Sequence, residues 1–598
     1  MQIQLQEVFT SIDPRIQLHL DRRARGLVPP ATASTAEGEI AVIAKISDLA
    51  SWLNRSEVFP GANLGNNPDG TYIVTARVPL NRVEILRQLP YVQSLKASQV
   101  LKPALKSTIE EVKARVDLLP PLAQGQQGKG VVVGIIDYGC DFLHQNFRHP
   151  DGSTRILALW DQTALAGPSS HLGYGRVYTQ TEINAALRSV DPYTSLGHDP
   201  GRASHGTHVM DIACGNGGGS SVPGVAPQAD IIFVQISASD IPWQGEDVVG
   251  SNFGGSVQLL EAIQFIFEQA GTRPCVINIS LGTNGGSHDG TSLVEQGIDA
   301  VVTAQPNRAV VIAASNSYED GIHASGKVIQ GNFIDVIWQI GEFDFTHNEL
   351  EVWYGKDDQL KLELIDQDDH SIGEVDLGAS ARILNQANEL LFFVAHRQGD
   401  PNNGDHTIGI FMNTESISSS LPSQIKLRLH GVTISDGQIH AWIERDDNGQ
   451  SNFAPPHDNS HTLGSISCGE HSIVVGSYDA HTTGQPLSWF SSAGPTRDGR
   501  QKPEISAPGH NVLAANSSTR VGVTRMSGTS MAAPAVTGVV ALILAEARSL
   551  NQDLTVDQIR DTLTKTARAN PPDMVWNDRY GMGRVDASAS VQKVRDLP

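Results

Sequence analysis

The chain has 598 residues, carries 43 Lys and Arg against 65 Asp and Glu for a formal charge of −22, and is 39% hydrophobic. That length suits about three or four domains, each with a core of its own, and argues against a single compact fold. Phosphate backbones and anionic lipid are normally held by clustered Lys and Arg, so the acidic balance sets nucleic-acid and membrane-surface partners aside.

The segment from Met1 to Glu7 shows neither a basic leader nor an apolar core, which makes cytoplasmic residence the default expectation, with release by another route left open. From Glu39 to Ser98 the pattern reads as a small α+β unit. It has a strand at Ile40–Ile46, a short helix, a strand at Tyr72–Val78, a helix carrying Val83, Leu86 and Leu89, and a strand at Tyr91–Leu95. The Pro/Gly/Gln-rich stretch from Leu118 to Gly130 then reads as a linker, with a domain boundary near residue 120.

Beyond it the texture changes to short, nearly unbroken apolar runs: Val131–Ile136, Ile231–Ile236, Cys275–Ile279 and Ala309–Ala313, separated by helix-length segments such as Val257–Ala270. Such runs suit strands covered on both faces, hence a parallel α/β sheet with ligand groups gathered at its carboxyl edge. Between about 328 and 458 the pattern becomes alternating and β-rich, as at Leu350–Tyr354, Leu360–Ile365, Ile425–Leu429 and Ile439–Ile443, which fits a sandwich or jelly roll. The α/β texture returns after residue 460, so the β-rich block is an insertion. The apolar run Met531–Ala547 contains Pro534 and falls short of the ~20 residues that span a bilayer, so it reads as a buried helix and no membrane span is expected. The expected domains are thus 1–120, 121–327, 328–458 and 459–598.

Cys140, Cys214, Cys275 and Cys468 make neither a zinc spacing nor a disulfide framework and read as free thiols. The chemistry sits elsewhere, in three separate segments. Asp137 ends Val131-Val-Val-Gly-Ile-Ile-Asp137, His205 begins Ser204-His-Gly-Thr-His208, and Ser530 lies in Ser527-Gly-Thr-Ser-Met-Ala-Ala-Pro534, just before the apolar helix. A serine hydroxyl is a weak nucleophile. It needs an imidazole to take its proton and a carboxylate to hold that imidazole's tautomer, the roles offered by His205 and Asp137. Asn316, closing Val310-Val-Ile-Ala-Ala-Ser-Asn316, offers a side-chain amide for a developing oxyanion beside the Ser530 N–H.

On these residues the sequence resembles the subtilisin-like serine proteases, the subtilases, whose Asp, His, Ser order it reproduces. Further matches are Asn278-Ile-Ser-Leu-Gly282, Phe490-Ser-Ser-Ala-Gly-Pro495 and Lys502-Pro-Glu-Ile-Ser-Ala-Pro-Gly509. The spore-germination type of subtilase, with a jelly roll inserted between the oxyanion and nucleophile segments, is the nearest architecture. Arg155-Ile-Leu-Ala-Leu-Trp-Asp-Gln162 and Asp436-Gly-Gln-Ile-His-Ala-Trp442 carry that likeness.

The resemblance implies a subtilisin-like α/β fold and an endopeptidase acting on polypeptide through a Ser530 acyl-enzyme. It places substrate along Ser280, Leu281, Gly282, Ala314 and Ser315. It also implies a propeptide-like N-terminal domain that serves as intramolecular inhibitor or folding chaperone, with autocleavage between about 96 and 130. No cofactor is required, and calcium enters by family resemblance alone. Two departures bear on specificity: Ser315 stands where the family usually has Gly, and Tyr138 replaces Thr or Ser. The alternative, since some spore-germination subtilases have lost triad members, is a pseudoprotease or peptide-binding scaffold kept covered by its N-terminal domain.

Several weaker signals are set aside. His144 and His208 lie near the motifs without a chemical task. Asn278-Ile-Ser280 fits a glycosylation pattern but falls in an expected buried strand. Gly215–Gly219 lacks the Lys and Ser/Thr of a phosphate loop. The acidic runs Asp366–Asp369 and Asp446–Gly449 read as solvated turns. Ala532 breaks the G-x-S-x-G elbow, which argues against an α/β-hydrolase esterase.

Overall fold

The computed structural model describes residues 16, 20, 23, 37–66, 70–97, 106–164, 174–202, 204–236, 256–340, 348–384, 390–412, 423–445, 450–569, 572 and 575–597. They form two compact units that divide between Pro103 and Ala104. This corrects the boundary expected near residue 120. Helix Lys106–Glu111 opens the second unit, and Val112, Ala114, Leu119 and Ala123 are buried in its core. Pro and Gly in this stretch make turns laid over a core, and the apolar residues spaced between them tie those turns down.

The first unit is a four-stranded antiparallel sheet in the order Phe59–Asn66, Tyr72–Pro79, Glu39–Ile46, Val92–Ala97. Ile40, Val42, Ala44 and Ile46 alternate onto the face that packs against Trp52, Val83 and Leu86 of two short helices. The strand Phe59–Asn66 has no alternating pattern and contains Pro60 and two glycines. It sits at the sheet edge, where a missing donor costs least, and its register slips twice.

The second unit is built on an eight-stranded sheet. Its order is Ile505–Pro508, Ile473–Tyr478, Arg308–Ala313, Cys275–Ile279, Val132–Asp137, Asp230–Gln235, Ile156–Asp161 and Arg176–Thr179. Every neighbouring pair is parallel except the last. The strand Val132–Asp137 is buried along its whole length because one hydrophobic cluster covers each face, as unbroken apolar runs require. Helix Thr529–Ser549 runs through the first of these clusters; its apolar stretch is long enough to cross a membrane, yet 94% of it is buried inside the protein.

The inserted block forms two antiparallel sheets of six and five strands that share one core, including Trp338, Leu350, Leu362, Ile410 and Leu427. It starts earlier than the expected residue 328. Strand His323–Lys327 already pairs with Gln438–Ile443, and the last strand of the block is Asn452–Phe453. His323–Lys327 has only two buried residues and no alternating apolar pattern, so nothing in its sequence marks it as part of a sandwich.

Candidate active site

Asp137 is the last residue of the central strand and is wholly buried. The chain turns there through Gly139, at φ +81°, where a Cβ would run into Ser204 and the Pro200 carbonyl. His205 is the first residue of helix His205–Cys214. Its Nδ1 lies 2.7 Å from Asp137 Oδ1, which also accepts the Tyr138 N–H at 2.7 Å. Gly206 makes this approach feasible, since a Cβ there would sit 2.7 Å from the Phe233 ring and 3.0 Å from Asp137 Cβ. Two hydroxyls that sequence reasoning did not single out lock the junction. Thr207 Oγ1 and Ser204 Oγ both reach the Gly139 carbonyl, at 2.9 and 3.1 Å. Both lie inside the Ser-His-Gly-Thr motif, which was the available sign.

The Asp137 carboxylate fixes the His205 tautomer with its proton on Nδ1, which makes Nε2 the basic nitrogen of the ring. Burial works against the charged imidazole, but the charge and hydrogen bond of Asp137 outweigh it and hold the His205 pKa above its ordinary value, with Arg445 opposing. The imidazole is 27% exposed, so part of the ring reaches the surface.

Ser530 is the second residue of helix Thr529–Ser549 and is half-buried. Its hydroxyl donates to the Ser280 carbonyl at 3.3 Å, and the Ser280 hydroxyl donates to the Ser530 carbonyl at 3.1 Å. A helix N-terminus has N–H groups without intrahelical partners and a positive dipole end, an environment suited to developing negative charge. Asn316 Oδ1 accepts from both the N–H and the Oγ1 of Thr529, at 2.8 and 2.9 Å, which fixes the amide orientation. Its Nδ2 and the Ser530 N–H then border one space, since a Cβ on Gly528 would lie 3.4 and 3.6 Å from them. Thr529 is the positioning residue that sequence reasoning missed.

Around this group, Ser280 to Gly282 continues from the strand Cys275–Ile279, and Gly282 is exposed with open space above its Cα. Ala314 is buried, and Ser315 is half-buried with φ +87°, a left-handed conformation that favours glycine. Tyr138 is 45% exposed. The insertion reaches this region too. Glu444, just after Gln438–Ile443, accepts the N–H groups of Asn284 and Gly285 at 2.8 and 3.1 Å, and Glu351 accepts that of Gly286 at 3.1 Å. Burial raises the pKa of both carboxyls, and their acceptor hydrogen bonds oppose it.

Other sequence signals resolve into structure. His208 Nε2 donates to the carbonyls of Val512 and Thr524, and burial pushes its pKa down to about 3. His144 Nε2 donates to the Gly522 carbonyl while its Nδ1 accepts from Asn146. All four thiols are buried, and burial raises Cys214 and Cys275 to about 12. Asn278 is fully buried and bonded to Thr537 and Ser280. Asp366 spends Oδ1 on the N–H groups of Asp368 and His370, closing a turn. Asp446–Gly449 lies outside the described residues. Asp289 and Asp405 share the Arg497 guanidinium at 2.7 Å each, so a cation already occupies that acidic group.

The model of the subtilase family matches residues 128–336 and 440–583, more than half of the sequence. The chain belongs to the subtilase family. This subtilase is 26% identical over 538 residues to the PII-type proteinase of Lacticaseibacillus paracasei, covering 79% of the chain and 26% of the proteinase. It is 38% identical over 152 residues to the serine protease AprX of Bacillus subtilis (strain 168), which is 22% of the chain and 32% of AprX. The chain thus spans about a quarter of the length of the first of these relatives. Among solved structures it is similar to the Clostridium perfringens CspB protease, with a TM-score of 0.68 and 27% identity over 82% of this chain and 98% of that one. The gap between the two family segments falls inside the inserted sandwich.

Proposed function

We propose that this subtilase is a serine endopeptidase in which Ser530 attacks the scissile carbonyl, His205 takes and returns the proton, and Asp137 holds the imidazole. The observation that carries this reading is the Asp137–His205 contact at 2.7 Å, at the sheet edge where Ser530 opens the core helix beside the Asn316 amide. For attack, the Ser530 hydroxyl exchanges the Ser280 carbonyl for His205 Nε2. The carbonyl oxygen, becoming negative, is received by the Ser530 N–H and Asn316 Nδ2, and collapse expels the amine with the proton from His205. Water, activated by the same imidazole, then frees the acyl group. Substrate runs along Ser280–Gly282 and Ala314–Ser315, and the strained Ser315 narrows the side-chain pocket.

The N-terminal unit, an antiparallel sheet covered by short helices, is proposed as the propeptide, with self-cleavage between about 96 and 130; residues 98–105 of that segment lie outside the described residues. Purified wild-type chain and Ser530→Ala are compared by casein hydrolysis, fluorophosphonate labelling and mass spectrometry of the mature N-terminus. Turnover, labelling and a shortened N-terminus are expected only in the wild type. Unchanged hydrolysis by Ser530→Ala overturns the assignment. Absence of labelling in the folded, processed wild type favours a peptide-binding pseudoprotease.

A further inference from the structure

Where the sandwich joins the catalytic region, three histidines far apart in sequence converge. His323 lies on the first strand of the insertion, His440 on the strand Gln438–Ile443 paired with it, and His461 on the segment returning to the catalytic sheet. His323 is wholly buried, His440 is 9% exposed and His461 is half-buried. One ring nitrogen from each lies within 4.8 Å of the others, and His323 Nε2 is 3.0 Å from His440 Nδ1. None of the three takes part in the proposed proteolytic chemistry.

We infer that His323, His440 and His461 form a binding site for one divalent transition-metal ion of the zinc class, which ties the inserted sandwich to the catalytic domain. Two nitrogens on a tetrahedral zinc ion, each about 2.0–2.1 Å from the metal, lie about 3.3 Å apart, close to the His323–His440 spacing. The His323 tautomer also fits, and the His440 proton that bridges the 3.0 Å contact moves to the other ring nitrogen when the metal takes its place. His323 Nδ1 lies 3.2 Å from the Asp458 backbone carbonyl, which only accepts, so the proton is on Nδ1 and the Nε2 lone pair faces the cluster. That is the arrangement metal-bound histidines use, with the second ring nitrogen donating to a carbonyl or carboxylate. Ser460 Oγ, 2.6 Å from His461 Nδ1, is placed to accept a proton there, the tautomer in which Nε2 is the ligand.

The surroundings hold the cluster in place. His461 has φ +56°, and its carbonyl accepts the buried Trp442 indole N–H at 2.9 Å. His440 and His288 both stack against the Trp442 indole, with interplanar angles of 12° and 8°. Three neutral nitrogens suit zinc, cobalt, nickel or copper; calcium and magnesium prefer oxygen.

The full chain is dialysed against zinc chloride, freed of loose metal, and its content is measured by mass spectrometry; cobalt chloride is titrated in parallel and followed by visible absorption. One equivalent per chain is expected in the wild type and in His481→Gln, an exposed control. His440→Gln and His461→Gln are expected to lose it. Wild-type chain without bound zinc, or full stoichiometry in both variants, overturns the site and leaves a hydrogen-bonded histidine cluster. Should the variants fail to fold, the wild-type cobalt spectrum decides. Intense tetrahedral bands support the site, and a weak octahedral spectrum overturns it.

Discussion

The catalytic sheet and the inserted sandwich bury their strands in opposite ways. Val132–Asp137 and Ile473–Tyr478 are covered on both faces along their whole length, whereas Gln424–Thr433 alternates buried and half-buried residues before ending exposed. A parallel strand covered by helices keeps its polar business for its carboxyl end, and that is where Asp137 and, just past the strand, Ser280 and Asn316 stand. A sandwich strand instead turns alternate side chains outward all along its length. The reactive groups therefore collect on the first architecture. The second contributes supports, such as Glu444 under the 284–285 backbone.

Six substitutions sharpen or break this contrast. The largest effect is expected for Ser530→Ala, with kcat falling about 10⁶-fold, a scale taken from subtilisin itself. Asp137→Asn is expected to cost about 10⁴-fold because the imidazole loses its tautomer and orientation. Since Asp137 holds the His205 pKa above its ordinary 6.5 and only the neutral imidazole accepts a proton, wild-type kcat/KM should fall as pH drops through a value above 6.5. Asn316→Ala removes one oxyanion donor, for about 10²–10³ in kcat, again the subtilisin scale.

On the sandwich side, Leu427→Ala empties a wholly buried position and should cost about 2–5 kcal/mol in denaturant unfolding while leaving the fluorophosphonate labelling rate unchanged. A matching drop in labelling would show that the two regions are not separable. Glu444→Ala strips two N–H groups of their acceptor, for about 1–3 kcal/mol, and should appear as a raised KM in peptide kinetics. The smallest effect belongs to Ser315→Gly. It relieves the φ of +87° and should raise stability by up to about 1 kcal/mol while admitting larger side chains in a peptide library.

How far the sequence could be read followed how local the cause was. The unbroken apolar runs located the central strands within a residue, and four short segments marked Asp137, His205, Ser530 and Asn316 as candidates. Thr529 was passed over because its work is a pair of hydrogen bonds to a residue 213 positions away. Phe59–Asn66 was missed because an edge strand tolerates the Pro, Gly and Asn that normally mark turns.

By itself, the sequence determined the order and type of the elements in the α/β region, the insertion of a β-rich block and the candidates proposed as reacting groups. These depend on hydrophobic periodicity and on short motifs whose members are neighbours in the chain. Only the tertiary structure decided that residues 106–123 pack with the second unit, that Glu444 braces the 284–285 backbone, and that His323, His440 and His461 meet. Each of those joins residues from segments with no common period. Their proximity comes from how separate elements pack, and no local pattern encodes it.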